Sequence, residues 1–307
     1  MRILVTGSSG FVGTTFCERF HKKFEVVAVD WKPPKERFPG VKYYEVDVLD
    51  IGQLKEVFYK ECPQRVVHLA AQARVDASLV NPIGTFRINV VGTINLLEMA
   101  KLMNLSQFIY VSSEVIYGKA ESYPCSEIQS FNPSSPYAAS KVSADILTQS
   151  IEGVNWVVAR PGMGFGPRSD PNEQVVAKFL WNVLHNKPLR FPSGKVQHPT
   201  RDINYIGNFM DGLSLLITQN LKFQIYNLGS GRETSILELA EKIVEVTGRG
   251  EIAFDPNFHY RAGEEGMRTW LDISKAKAEF GYEPRVGLED GLRITYKWMK
   301  RNISYWD

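Results

Sequence analysis

A chain of 307 residues is long enough for one large core or two coupled ones. With 44% hydrophobic residues, 23% charged residues and a formal net charge of +2, it has the balance of an ordinary globular protein. That balance gives no electrostatic case for a nucleic-acid or membrane partner. No apolar stretch reaches the length of a membrane span, and a strand pattern begins at once in MRILVTG, so the expected location is the cytoplasm.

Three cysteines (Cys17, Cys62, Cys125) lack CxxC spacing, and five histidines lie far apart without ligand spacing. Free thiols and no metal are the expectation.

In chain order, RILVT, EVVAVD, KYYEV, RVVHLA, QFIYVSS and NWVVARP are short runs rich in β-branched and aromatic residues. They read as strands buried on both faces, as a parallel sheet requires. Helical patterns lie between them, for example Thr85 to Leu102, where Ile88, Val91, Ile94 and Leu97 recur every three residues. The alternation implies an α/β fold with a doubly wound parallel sheet of the Rossmann kind.

After RPGMGFGPR the regularity weakens. PRSDPNE leads to a helix near Val175–Asn186, then to a loop, KPLRFPSGKVQHPTRD. Helices are expected over Tyr205–Ile217, over Ser235–Val246 with a capping-box start at Ser235 and Glu238, and over Leu288–Arg301. The expected division is a dinucleotide-binding domain over 1–166, to which about 202–230 return. A smaller mixed α/β domain over 167–201 and 231–307 is laid over the C-terminal edge of the sheet.

The first motif with chemistry in it is VTGSSGFVG, residues 5–13. Gly7, Gly10 and Gly13 let the backbone turn tightly and approach a pyrophosphate. Phe11 and Val12 open a helix whose N-terminal N–H groups and dipole favour an anion. The second strand ends at Asp30, about 20 residues on, where a carboxylate can accept from both ribose hydroxyls of an adenosine. Asp30 repels a 2′-phosphate, so NAD is favoured over NADP; Lys32 reads as a solvated neighbour.

The second motif is SPYAASK, which puts Tyr137 and Lys141 on one face of a helix. An ammonium beside a phenol favours the phenolate, so Tyr137 can serve as a general base toward a sugar hydroxyl. Ser113, ending the strand before, can orient the same hydroxyl.

TGSSGFVG, HLAAQARV, NVVGTINLLE, SSEVIYG, SPYAASK and RPGMGFGPR, in that order, resemble the extended short-chain dehydrogenase/reductase family, in its nucleotide-sugar epimerase and dehydratase branch. TRDINY and RAGEEGMRTWLDISKAKAEFGY extend the likeness over nearly the whole chain. The resemblance implies that Asp47 and Val48 meet the adenine, that Leu69, Ala70 and Ala71 lie beside the pyrophosphate, and that Asn89 supports the cofactor side. It makes Ser113, Tyr137 and Lys141 the catalytic trio. Arg201 and Arg261 become the clamp on a nucleotide-sugar diphosphate, where a guanidinium fork suits phosphate oxygens; the plainer reading of each arginine is a surface ion pair.

Two departures stand out. Met163 replaces an asparagine common in the branch, and KPLRFPSG lacks an FGDG-like ending, so Phe191 either stacks on the base or packs.

The implied chemistry is NAD-dependent inversion at C4 of an NDP-hexose of the UDP-glucose/UDP-galactose type, through a transient 4-keto sugar. The alternative is 4,6-dehydration. Dehydratases of the branch carry an acid and then a glutamate just after the catalytic Ser or Thr. Counted back from Tyr117, Glu114 takes the acid's place and Val115 the glutamate's, and valine cannot take a proton. A slip of one residue instead puts Glu114 in the base's place, since Ser112-Ser113-Glu114 resembles the Thr-Ser-Glu of some dehydratases. Glu114 either meets a sugar hydroxyl or faces solvent. Thr85–Leu102 and the helix of Tyr137 match the pair of helices by which the family commonly dimerises, so a homodimer is expected.

Overall fold

The computed structural model describes residues 1–261 and 263–306. In chain order it runs β1 (Arg2–Thr6), α1 (Phe11–Phe20), β2 (Glu25–Asp30), β3 (Lys42–Glu45), α2 (Ile51–Glu61), β4 (Arg65–His68), α3 (Val75–Val80), α4 (Pro82–Phe86), a π turn (Arg87–Val91), α5 (Gly92–Leu102), β5 (Gln107–Val111), a 3₁₀ turn (Glu114–Ile116), α6 (Pro136–Ser150) and β6 (Trp156–Pro161). There follow β7 (Met163–Phe165), α7 (Val175–Leu184), β8 (Leu189–Pro192), β9 (Thr200–Tyr205), α8 (Ile206–Thr218), β10 (Gln224–Leu228), β11 (Glu233–Ser235), α9 (Ile236–Thr247), β12 (Ile252–Asp255), α10 (Ser274–Phe280), α11 (Leu288–Arg301) and a last 3₁₀ turn (Ile303–Trp306).

Seven strands form one sheet in the order β10-β6-β5-β4-β1-β2-β3, parallel in every pair from β3 through β6. All five residues of β5 are buried, as are Ile3–Thr6 of β1 and Val26–Asp30 of β2. Helices on both faces leave such strands no polar side, which is why they read as continuous apolar runs. Strand order reverses at β1, with β2 on one side and β4 on the other, and a doubly wound sheet binds its ligand at that switch point.

The chain forms two compact units. The first comprises Met1–Ile116, Pro133–Arg160 and Met210–Tyr226; the second comprises Tyr117–Asn132, Pro161–Phe209 and Asn227–Asp307. One core of the first unit packs Leu54, Val57 and Phe58 of α2 and Leu96, Leu97 and Met99 of α5 against Leu4, Val27, Val66 and Phe108. In the second unit β9 lies between β7 (parallel) and β11 (antiparallel), and β8 pairs with β12 in parallel. Its core joins Phe179 and Leu180 of α7, Leu239 and Ile243 of α9, and Leu292 and Met299 of α11.

Two expectations change. The stretch 187–202, which reads as a loop, contributes β8 and the start of β9. Pro192, Gly194 and Pro199 dominate its local signal, while β8 finds its partner about 60 residues on. Phe191 on β8 is 1% exposed and meets the rings of Phe179, His198 and Phe254, so it packs rather than stacks on a ligand. The helix expected over Thr85–Leu102 is interrupted by the π turn at Arg87–Val91.

At the end of the first unit's sheet opposite the switch point, Glu61 joins three elements. Its carboxylate, 3% exposed, accepts from Lys42 Nζ at 2.7 Å and Tyr44 Oη at 2.6 Å, with an Arg2 guanidinium nitrogen at 3.8 Å. Burial pushes this carboxyl up, but the Lys42 and Tyr44 hydrogen bonds outweigh it and hold it below the ordinary glutamate range. A carboxyl depressed in the folded state contributes stability that is present above its unfolded pKa and lost as pH falls through the folded one. Glu61→Gln is therefore expected to lose about 1.5–3 kcal/mol at neutral pH, with the gap to the parent closing below about pH 4. Urea unfolding at pH 7 and in acid checks both.

Candidate active site

The switch point is built from glycine and helix. The chain leaves β1 through Gly7, held at φ +71°, where a Cβ would lie 2.7 Å from the backbone nitrogen of Ala70. At Gly13, inside α1, a Cβ would lie 2.1 Å from the Gly7 carbonyl oxygen. Both positions therefore demand glycine, and the loop lies flat on the first turn of the helix. Gly10 is the N-cap of α1 and offers no side chain to the first N–H groups, which Phe11 and Val12 begin. Unmet donors at a helix N-terminus behind a glycine loop fit a pyrophosphate, so the residues present fit a dinucleotide.

The segment after β4 is fastened beside this loop. Thr6 Oγ1 accepts the Ala70 N–H at 3.2 Å and pairs with His68 Nδ1 at 2.7 Å, while the Leu69 N–H reaches the Thr6 carbonyl at 3.3 Å. His68 Nε2 meets Thr93 Oγ1 at 3.0 Å, and burial, with the Lys141 charge, pushes this imidazole down to about 3. It is a neutral spacer, and Ala71 continues the segment.

Asp30 ends β2 with its carboxylate turned back to the loop, accepting from the Ser9 N–H at 2.9 Å and the Lys32 N–H at 3.2 Å. Burial raises its pKa, against the pull of those two N–H groups. With Ser8, Ser9, Lys32, Arg37 and Tyr43 it lines a pocket of about 100 Å³. Past β3, Asp47 Oδ1 accepts the Leu49 N–H at 2.9 Å, and Val48 is buried against Gly92.

The π turn has a visible purpose. It carries Asn89, 2% exposed, whose Oδ1 accepts the Gln72 N–H at 2.7 Å and whose Nδ2 donates to the Gln72 carbonyl at 3.1 Å and to Ser140 Oγ at 2.8 Å. One amide thus completes the backbone bonding of the segment after β4 and ties it to α6. The extra residue in the turn is what re-aims the side chain inward.

Ser113 follows β5, and α6 begins at Pro136 with Ser135 as N-cap, its hydroxyl accepting the Ala138 N–H at 3.1 Å. Tyr137 and Lys141 lie one turn apart and are both buried. Burial raises the Tyr137 phenol, a hydrogen bond with Ser113 lowers it, and the Glu114 carboxylate raises it again; the net direction is up. Lys141 Nζ donates to the Val111 carbonyl at 2.6 Å and stands 4.6 Å over the ring of Tyr110. Burial pushes this ammonium down to about 7. The sequence suggests a phenol lowered by its lysine, whereas in the protein itself burial prevails over both groups. Glu114 is 3% exposed in the 3₁₀ turn, not a solvated residue, and Val115 beside it is half-buried.

Arg201 and Arg261 belong to the second unit. Their guanidinium groups converge on one oxygen: Glu264 Oε1 is 2.7 Å from Arg261 and 3.9 Å from Arg201. Arg201 is held by its own strand, donating to the Thr200 carbonyl at 2.8 Å, with Met267 Sδ at 3.6 Å. Next to it Asp202, fully buried, accepts N–H groups of Ser230, Gly231 and Leu271, which fixes β9. Arg261 also borders a cavity of about 230 Å³ with Phe258, His259 and Tyr260. Met163 sits on β7 opposite Ile203. Thr6, Gln72, Ser140 and Glu264 escape a sequence reading; only Glu264 carries a signal, three residues after Arg261.

Comparison with known proteins decides the family. The model of the GDP-mannose 4,6 dehydratase family matches residues 4–295. The chain belongs to this family. It falls in the nucleotide-sugar epimerase/dehydratase branch of the extended short-chain dehydrogenases/reductases. Among relatives, a dTDP-glucose 4,6-dehydratase of Streptomyces antibioticus is 31% identical over 100% of this chain and 95% of its own. Among solved structures, a UDP-glucose 4-epimerase of Thermotoga maritima with UDP-glucose has a TM-score of 0.91 and 28% identity, covering 99% of this chain and 100% of that one. A Thermus thermophilus UDP-glucose 4-epimerase in complex with NAD has a TM-score of 0.88 and 31% identity, covering 98% and 100%. This family member is thus an NAD-dependent enzyme of the epimerase/dehydratase class. Among its described residues, no helix is long and apolar enough to cross a membrane, and no cluster of His, Cys, Asp or Glu could hold a metal ion.

Proposed function

We propose that this family member inverts C4 of a nucleotide-linked hexose. NAD is held at Gly7, Gly10–Gly13, Asp30, Asp47–Val48, Leu69–Ala71 and Asn89, with Tyr137 and Lys141 at its reactive end. Bound there, it supplies a hydride acceptor and then a donor at one carbinol carbon. Tyr137 takes the proton of the C4 hydroxyl and returns it to the 4-keto sugar, Ser113 hydrogen-bonds the same oxygen, and Lys141 keeps a positive charge close by. Arg201 and Arg261 hold the diphosphate. The support for this is that both already meet one carboxylate oxygen, which stands in for a phosphate oxygen.

The observation that carries inversion over elimination is Val115. Loss of water across C5 and C6 needs a base for the C5 proton, and at the position beside Glu114 the chain offers an alkyl group. The buried Glu114 next to Tyr137 is what favours the other reading, a 4,6-dehydratase with Glu114 acting on the leaving hydroxyl. Tyr137→Phe is expected to keep NAD affinity and lose at least about 10²-fold in kcat, measured by cofactor titration and turnover on UDP- and TDP-hexoses. NMR of those sugars incubated with enzyme in deuterated water separates the two readings. Inversion at C4 with no deuterium at C5 or C6 is expected; a 4-keto-6-deoxy product labelled at C5 sinks the epimerase.

The first unit also shows apolar side chains on the surface of α3 to α5 and of α6. Val80 (86% exposed), Ile83 (73%), Ile146 (49%), Val91 and Ile94 (43% each) face solvent. Helices packed on a sheet need one apolar stripe, and these carry a second. A homodimer through these helices buries it. Light scattering at micromolar concentration is expected to give twice 34.8 kDa; a monomer mass there removes the dimer.

A further inference from the structure

Behind Lys141 lies an arrangement that the chemistry above leaves unused. Asp145, one turn further along α6, is completely buried and is gripped by Arg160 of β6, itself 1% exposed: Arg160 Nε donates to Oδ2 and a terminal nitrogen to Oδ1, both at 3.0 Å. Gln149 Nε2 adds a third donor on Oδ1 at 2.5 Å. In front of the pair, the Tyr110 ring lies 4.6 Å beneath the ammonium, and its own hydroxyl is buried with no hydrogen-bond partner among the described residues.

A buried phenol oxygen left unmet is a cost without return, so what this position uses of Tyr110 is the ring. A fully buried ion pair adds little stability over an apolar pair of the same volume, so stability alone is a poor reason for Asp145 and Arg160. Tyr110, Lys141, Asp145, Gln149 and Arg160 all belong to the first unit.

We propose that the ring of Tyr110 and the Asp145–Arg160 pair are positioning residues for Lys141, holding its ammonium in place and keeping it charged in a dry site. The inference rests on the catalytic reading of Lys141 given above. The charged and titratable groups around that ammonium are His68 from β4, Tyr110 from β5, Glu114 through Tyr137, Tyr137 and Asp145 from α6, and Arg160 of β6 behind Asp145. His68 stays neutral and Tyr137 protonated at neutral pH, so Asp145 and the Tyr110 ring face are the groups that favour the ammonium. They oppose the desolvation that pushes it down to about 7. Arg160 aims the Asp145 carboxylate through its two hydrogen bonds.

The test titrates the full-length protein without substrate, using ¹³C,¹⁵N-lysine and the Cε signal of Lys141, assigned by its loss in Lys141→Arg. The parent midpoint is expected at about 7. Tyr110→Leu, which removes the ring and no charge, and the double variant Asp145→Asn with Arg160→Met, which removes both charges at similar volume, are each expected to lower the midpoint by about half a unit or more. Tyr110→Phe keeps the ring, and its midpoint stays at the parent value.

Parent midpoints in Tyr110→Leu and in the double variant, with native circular dichroism, overturn the proposal. A parent midpoint in a folded double variant alone overturns the part given to Asp145 and Arg160. Should the double variant not fold, Tyr110→Leu decides. A fall in midpoint together with full turnover in Lys141→Met fails the catalytic reading of Lys141 and leaves the positioning result standing.

Discussion

The first unit turns on one side-chain amide. Asn89 gives the segment after β4 the two hydrogen bonds that a neighbouring strand would otherwise supply, and with the same group it holds Ser140 of α6. Ser140 in turn donates to the Tyr137 carbonyl at 2.7 Å, so the chain beside the glycine loop and the helix carrying the phenol share one fastening. A regular α-helix presents side chains every 3.6 residues on a fixed face and could not both bury Asn89 here and keep Leu96, Leu97 and Met99 on the sheet. The π turn reconciles the two, at the expense of the helix's own regularity.

Burial does the rest of the tuning. His68, Tyr110, Tyr137 and Lys141 share one buried region, and each is pushed toward its neutral form unless a partner resists. For His68 nothing charged resists, and it is inert. For Lys141 a ring face and a carboxylate resist, and its midpoint falls where small changes matter. The chemistry proposed for Tyr137 depends on the same balance, because a phenol in such surroundings gives up its proton only beside positive charge.

The sheet was legible in the sequence because parallel strands buried on two faces leave an apolar run that little else produces. EVVAVD and QFIYVSS announce themselves. The glycine loop was legible for a comparable reason: Gly7 and Gly13 sit where a methyl group would strike backbone. Residues that act across long chain separations were not. β8 depends on β12, Asn89 on Gln72 and Ser140, and Arg201 on Glu264, and none of those pairings leaves a period or a spacing to read. Phe191 shows the limit from the other side, since an aromatic residue between prolines looks like a platform until its neighbours are known. Tyr137 and Lys141 were legible as a pair, but the direction of the phenol's shift was not, because it is set by the depth at which α6 is buried.

Each compact unit is assembled from three separate stretches of chain. The polypeptide passes from one to the other after residues 116, 132, 160, 209 and 226, so no cut yields an intact half. During synthesis the first unit lacks its last stretch until Tyr226 has left the ribosome, and the second waits for α11. The usual order, in which an N-terminal domain folds while the next is still being made, is closed to this chain. Its glycine loop and early strands must wait for Tyr226 without a finished sheet edge, exposed to whatever holds nascent apolar segments apart.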